Sequence, residues 1–209
     1  MNKLVEMRVN EYLDVLKSDA PAPGGGSVSA LAGAQGVGLF MMVADLTIGR
    51  EKYFDCQEVC LAAKETGEQL FAALCEAVDR DTEAFNLVSA AFRMPRDTDE
   101  AKAARNMAIA EATLTATEVP FEVMKLAREG LLTAENLAGH SNPNAASDLG
   151  VAVLNLMACI KGAWLNVKIN LPGVKDIVRA KEIEAEGERI HEECETLARV
   201  LYQTILKSL

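Results

Sequence analysis

Two long runs of almost uninterrupted apolar residues constrain what this chain can fold into. Residues 27–48 contain only Gln35 and Asp45 as strongly polar side chains, and a second run, from about Asp148, is broken only by Asn155, Lys161, Asn166, Lys168 and Asn170. A surface helix shows one apolar stripe, whereas a helix that is apolar nearly all round has to be covered on most of its sides. The first run approaches the roughly 20 residues needed to cross a bilayer, so a membrane span has to be weighed. Against a span, the run is built from small residues, carries Asp45 well inside one end, and has a second greasy helix to pack on. We therefore read both runs as buried helices at the centre of a bundle, with no membrane partner. Ser29 with Gly33, Ala30 with Ala34 and Gly38, and Ala32 with Gly36 are small residues one helical turn apart, which would let two backbones approach closely.

The rest of the chain divides at its prolines and glycines. Leu4, Val5, Val9, Leu13 and Leu16 stand at helical spacing over residues 4–16, with Glu6, Arg8, Asn10, Glu11 and Asp14 for a wet face. Pro21, Pro23 and Gly24-Gly25-Gly26 stop that helix, and the next begins about Ser27. Residues 55–92 read as one long helix, with Val59, Leu70, Leu74, Val78, Phe85, Val88 and Phe92 facing a core. Its acidic residues, Glu65, Glu68, Glu76, Asp79, Asp81 and Glu83, read mostly as a solvated face. Asp97 and Glu100 at capping-box spacing open a helix over 99–138 that Pro120 should kink. Asn144 or Ser147 can cap the helix that follows, Gly173 lies just past its end, and residues 175–206 form a last charged helix. The expectation is an all-α bundle of about six helices, two of them long, forming a single domain over residues 1–209.

A net charge of −10 argues against a nucleic-acid partner, which would need a basic footprint. The five cysteines are odd in number and widely spaced, and they read as reduced thiols of a cytoplasmic protein. The N-terminus lacks the apolar core of a secretory signal. Only two histidines occur, at 140 and 191, without metal-ligand spacing, so no metal site is expected.

Two features could carry chemistry. Gly24-Gly25-Gly26-Ser27 resembles an anion-cradling turn at a helix start, although it lacks the Gly-Lys-Ser/Thr of a P-loop and any preceding strand. On the second apolar helix Asp148, Asn155, Cys159, Gly162 and Asn166 fall within about 60° of one another at 100° per residue. Asp148 at the head of that stripe is either a first-turn carboxylate favoured by the helix dipole or an acid/base group sheltered by apolar neighbours. Asn155, Asn166 and Asn170 are either interhelical hydrogen-bonding partners or ligand contacts.

Four separated segments, in order, resemble the formiminotetrahydrofolate cyclodeaminase / methenyltetrahydrofolate cyclohydrolase family. They are Ala22-Pro23-Gly24-Gly25-Gly26-Ser27, Leu46-Thr47-Ile48-Gly49 with Tyr53, Asn142-Pro143-Asn144 through Ser147-Asp148, and Asn166-Val167-x-Ile169-Asn170-Leu171. The resemblance implies an all-helical homodimer, dimerising through buried small-residue helices, with a folate site in a groove at the subunit interface. It implies Asp148 as the catalytic residue, and Gly24, Gly25, Gly26, Ser27, Arg50, Lys52, Asn144, Ser147, Asn166 and Asn170 around the substrate. The substrate is a tetrahydrofolate derivative, with no tightly bound cofactor. Relatives often carry several lysines after the residue matching Gly49; here the segment is Arg50-Glu51-Lys52, which bears on how strongly a polyglutamyl tail is attracted. With no fused formiminotransferase segment in the sequence, the expectation leans to the cyclohydrolase reaction over the cyclodeaminase one. A non-catalytic folate-binding or helical interaction module is the alternative of another class.

Overall fold

The computed structural model describes residues 3–209 and arranges them as α1 (Val9–Leu16), α2 (Gly25–Asp45), α3 (Gln57–Phe92), α4 (Asp99–Leu137), α5 (Ala146–Asn170) and α6 (Ile177–Ser208). Short 3-10 segments at Leu4–Glu6, Glu51–Cys56, Pro143–Ala145 and Leu171–Gly173 fill the joints, and the described residues contain no strand. The six helices fall close to where periodicity and breakers put them.

α2 and α5 lie antiparallel at the centre, because glycine lets them meet at backbone distance. A Cβ on Gly36 would stand 3.0 Å from the Ala152 carbonyl oxygen and 2.7 Å from Leu156 Cγ, and one on Gly33 would stand 2.8 Å from Cys159 Sγ. The small-residue stripe is therefore spent on the chain's own α5. Ser29, Ala30, Gly33, Ala34 and Gly36 of that stripe are buried within the chain. α3 covers the other flank of α2, α4 packs on α3 and α5, and α6 closes the far side of α5. Gly25–Asp45 and Pro143–Gly173 are each long and apolar enough to cross a bilayer, yet 56% and 50% of their apolar windows lie inside the bundle. Burial against neighbouring helices accounts for much of their composition. All five cysteines are free, and burial pushes the Cys159 thiol up to about 12.

Local chemistry moves several helix ends. The helix expected from residue 4 starts at Val9, because Met7 and Arg8 are extended; the Arg8 N–H donates to Glu11 Oε2 at 3.1 Å. Of its side chains only Tyr12 is buried, while Val9 and Leu13 face outward. Thr98, rather than Asp97, caps α4 by accepting from the Ala101 N–H. Neither Asn144 nor Ser147 caps α5: Asn142 Oδ1 accepts from the Asn144 N–H and starts the 3-10 turn that leads into it. α4 runs on through Pro120, and Asn170 Nδ2 donates at 2.8 Å to the Ala116 carbonyl, the group that Pro120 has no N–H to serve.

Candidate functional site

The expected site residues gather at opposite ends of the α2–α5 pair. Asp148 and Asn166 are eighteen residues apart on one helix, which at 1.5 Å per residue separates them by about 27 Å. The Gly24-Gly25-Gly26 turn and Asn166 therefore lie at one end of the pair, and the Leu46 to Tyr53 segment and Asp148 at the other.

At the first end, α2 starts at Gly25 with Gly24 as a cap that has no side chain to offer. The missing cap comes from α3. Asp81 Oδ2 accepts from the Ser27 backbone N–H at 2.9 Å and from the Ser27 hydroxyl at 3.1 Å. Gly26 makes room, since a Cβ there would run into the Asp81 carboxylate. Burial pushes the Asp81 carboxyl above the usual carboxylate range, and the Ser27 hydrogen bonds pull against that shift. Tyr12 packs nearby, its hydroxyl buried without a partner among the described residues. Burial, and then the charge of Asp81, push its phenol up.

Gly26 and Asp81 border a cleft of about 320 Å³ whose walls include Gly24, Gly25, Phe85, Val88, Asn166 and Ile169. Asn166 Nδ2 donates to the Gly162 carbonyl at 2.8 Å, and Asn170, also at the cleft, is engaged with Ala116. Gly24, Gly25, Gly26, Asn166 and Asn170 are thus brought together as expected. Ser27 is fully buried: its hydroxyl also donates to the Val78 carbonyl at 2.8 Å, and it holds Asp81.

At the second end a hydrogen-bonded network ties the loop after α2 to the start of α5. Thr47 Oγ1, fully buried, accepts from the Asn142 N–H at 2.8 Å and donates to the Val43 carbonyl; Tyr53 Oη donates to Asn142 Oδ1 at 2.8 Å. Gly49 turns the chain with φ of +74°, a conformation that favours glycine, and its N–H donates to Gln57 Oε1. This network explains the Leu46-Thr47-Ile48-Gly49, Tyr53 and Asn142 positions as architecture. What it presents is an exposed Arg50, an exposed Lys52 with its ammonium 5.4 Å from the Tyr53 ring centre, and Phe54, 78% exposed. Beside it the 3-10 turn before α5 carries exposed Asn144, and the first turn of α5 carries exposed Ser147 and half-buried Asp148. The Asp148 carboxylate lies in the first turn of α5 and has no hydrogen bond or ion pair to any described residue.

Between the two ends runs an apolar strip that the chain leaves uncovered. Val151, Leu154, Leu165 and Ile169 on α5 are 46%, 51%, 71% and 78% exposed, and Val28, Met42 and Leu46 continue the strip on α2. On α5 these residues share one helical face, with Asp148, Asn155 and Asn166 along its edge.

Among the described residues no group of three or more His, Cys, Asp and Glu side chains is arranged to hold a metal ion. The sequence singled out neither Asp81, which the fold shelters at the first end, nor Phe54, which it exposes at the second. The one signal for Asp81 was a triple-glycine helix start that needs its cap from elsewhere.

Residues 8–189 match the family described as Formiminotransferase-cyclodeaminase. The chain belongs to the formiminotransferase-cyclodeaminase family. It is 40% identical to methenyltetrahydrofolate cyclohydrolase of Methylorubrum extorquens over 94% of its own length and 95% of that protein. It is 32% identical to formimidoyltransferase-cyclodeaminase of Dictyostelium discoideum over 95% of its length, spanning 36% of that longer protein. In fold it is similar to the crystal structure of formiminotetrahydrofolate cyclodeaminase from Thermotoga maritima, with a TM-score of 0.80, 26% identity, and coverage of 98% and 96% of the two chains. The all-α bundle is thus a formiminotransferase-cyclodeaminase family fold, and the four segments named above sit at the two ends of its central helix pair.

Proposed function

We propose that this chain is a methenyltetrahydrofolate cyclohydrolase, opening the ring of 5,10-methenyltetrahydrofolate to 10-formyltetrahydrofolate. The observation that carries this is the 40% identity to a cyclohydrolase that extends over nearly the whole of both proteins. The substrate is an amidinium cation whose bridging carbon takes up water. Asp148, unpaired and partly sheltered, takes the proton of the attacking water while a C–O bond forms at that carbon. In its ionised form it also stabilises the cationic carbon beforehand. The C–N5 bond then breaks, N5 takes a proton as it leaves, and the carbinol loses its proton to become the formyl group.

The working unit in this proposal is a homodimer with the site at the subunit interface. The uncovered strip on α2 and α5 supports it, because an apolar face of that length is the usual mark of an association surface. A two-fold axis crossing α5 near Ala158 sets residues equally spaced about Ala158 against one another, which brings Asp148 to the 166–170 end of a second copy. Each of two symmetric sites then combines the Gly24–Asn166 cleft of one copy with Asp148, Arg50 and Lys52 of the other. The two basic side chains offer charge to the glutamyl carboxylates of the substrate. No tightly bound cofactor is part of the proposal, and the setting is cytoplasmic, where folate and reduced thiols coexist.

A second reading, formiminotetrahydrofolate cyclodeamination, is favoured by the likeness to the Thermotoga maritima cyclodeaminase. Absorbance of the methenyl chromophore separates the two. Loss of absorbance on adding enzyme to methenyltetrahydrofolate supports the cyclohydrolase, and appearance of absorbance from the formimino substrate supports the cyclodeaminase. No change with either would leave a binding module. Asp148→Asn, shown to fold, should lower turnover by about 10²–10⁴-fold; wild-type turnover by this variant would remove Asp148 from the mechanism.

A further inference from the structure

We propose that Asp81 is the residue that orients the pterin ring of the folate substrate, its free Oδ1 accepting hydrogen bonds from the 2-amino-4-oxopyrimidine edge. The proposal rests on the folate reading above and adds a substrate contact to it. Asp81 Oδ2 is fixed by the Ser27 N–H and hydroxyl at 2.9 and 3.1 Å, while Oδ1 has no hydrogen bond from any described residue. Gly26 lets the carboxylate sit where a side chain would otherwise stand, and Asp81 lines the cleft.

The other polar side chains at this cleft have committed donors. Asn166 Nδ2 donates to Gly162 O and Asn170 Nδ2 to Ala116 O, each at 2.8 Å, which leaves their carbonyl oxygens unused. The cleft therefore offers acceptors between apolar walls that include Phe85, Val88 and Ile169, and its volume of about 320 Å³ suits one flat heterocycle. Of the three parts of a folate, only the pterin matches this pattern. Its 2-amino group and ring N–H form a row of donors, whereas the benzoyl ring has none to spare and a glutamyl carboxylate would be repelled by Asp81. A pterin seated here points its N5 edge out of the cleft, toward the position the two-fold arrangement gives to the Asp148 of a second copy. The sheltering that raises the Asp81 carboxyl also strengthens any hydrogen bond it accepts.

Asp81 also caps α2, so the test has to move something that a cap would not. Calorimetric binding of 5,10-methenyltetrahydrofolate and of its 2-desamino analogue is compared for the wild-type protein and for Asp81→Asn, with thermal melting as the folding control. The amide can still accept from the Ser27 N–H, so the cap is kept while the charge is lost. A hydrogen bond to a charged acceptor predicts that the wild type prefers the 2-amino ligand by about 10–100-fold. In Asp81→Asn that preference should collapse to a few-fold. Equal preference in both proteins would overturn the proposal and leave Asp81 as a helix cap alone. Wild-type binding without preference would overturn it without touching the folate reading, and this comparison needs no variant to fold. Failure of the wild type to bind either ligand would overturn both.

Discussion

Asn170 Nδ2 donates at 2.8 Å to the Ala116 carbonyl, the oxygen left without its helical donor by Pro120 one turn later. One side chain thus repairs a break in α4 and ties it to the C-terminal end of α5. Asn170→Ala should cost about 1–3 kcal/mol, the desolvation cost of an unpaired carbonyl. For a chain of this size each kcal/mol lowers Tm by about 2–4 °C. In a Pro120→Ala background the backbone N–H returns and the same substitution should cost much less. Equal losses in the two backgrounds, by urea denaturation, would show that the bond is incidental.

Two glycines on α2 should respond in opposite directions. Gly36→Ala forces a Cβ to 3.0 Å from the Ala152 carbonyl oxygen, which is backbone and cannot swing aside, and destabilisation of about 1–3 kcal/mol is expected. Gly38→Ala meets nothing closer than Phe71 at 3.6 Å and gains up to about 1 kcal/mol of helix propensity. Denaturation midpoints check the contrast, and the same sign at both positions would contradict the packing described.

Asp81 gives stability a pH dependence of known sign. Its folded pKa is raised by burial above the unfolded value of about 3.9, so its favourable contribution is complete below that value and is lost as pH rises through the folded pKa. Asp81→Asn abolishes this term. The stability of the variant relative to wild type should therefore climb as pH rises from below 4 toward neutrality, on top of whatever constant offset the amide brings. Urea midpoints across that range check it, and a difference that is flat or falls with pH would contradict the burial of this carboxylate.

The sequence made the bundle legible because helical periodicity is local and Pro and Gly mark where it stops. For Asp148 the residues alone left two readings open, a first-turn carboxylate or an acid/base group, and the resemblance to the family is what favoured the second. Asp81 was hidden by its neighbours: Glu76, Asp79 and Glu83 on α3 make it look like one more residue of a wet face. Only the docking of the α2 start on α3 reveals that it is sheltered. Ser27 shows the converse, being adjacent in sequence to the cleft glycines while turned wholly inward. The length of α5 sets Asp148 and Asn166 far apart, and in the proposed dimer which copy supplies which end is a property of association, to which the pattern of one chain is blind. Phe85, Phe92, Val9 and Leu13 carried the apolar signal of core residues and yet lie exposed, because periodicity reports that a face is apolar and not what covers it.

In the proposed dimer one site is built from both ends of α5 on different copies. Mixing two inactive variants tests it most directly: Asp148→Asn removes the proton acceptor at one end, and Gly25→Leu fills the cleft at the other. Each variant alone should be inactive toward methenyltetrahydrofolate while still folding and associating. After unfolding, mixing in equal amounts and refolding, half of the dimers are mixed, and each mixed dimer has one site with both lesions and one with neither, so about a quarter of wild-type activity should return. No recovery, with mixed dimers demonstrated by mass, would contradict the account and place both ends of the chemistry within a single copy.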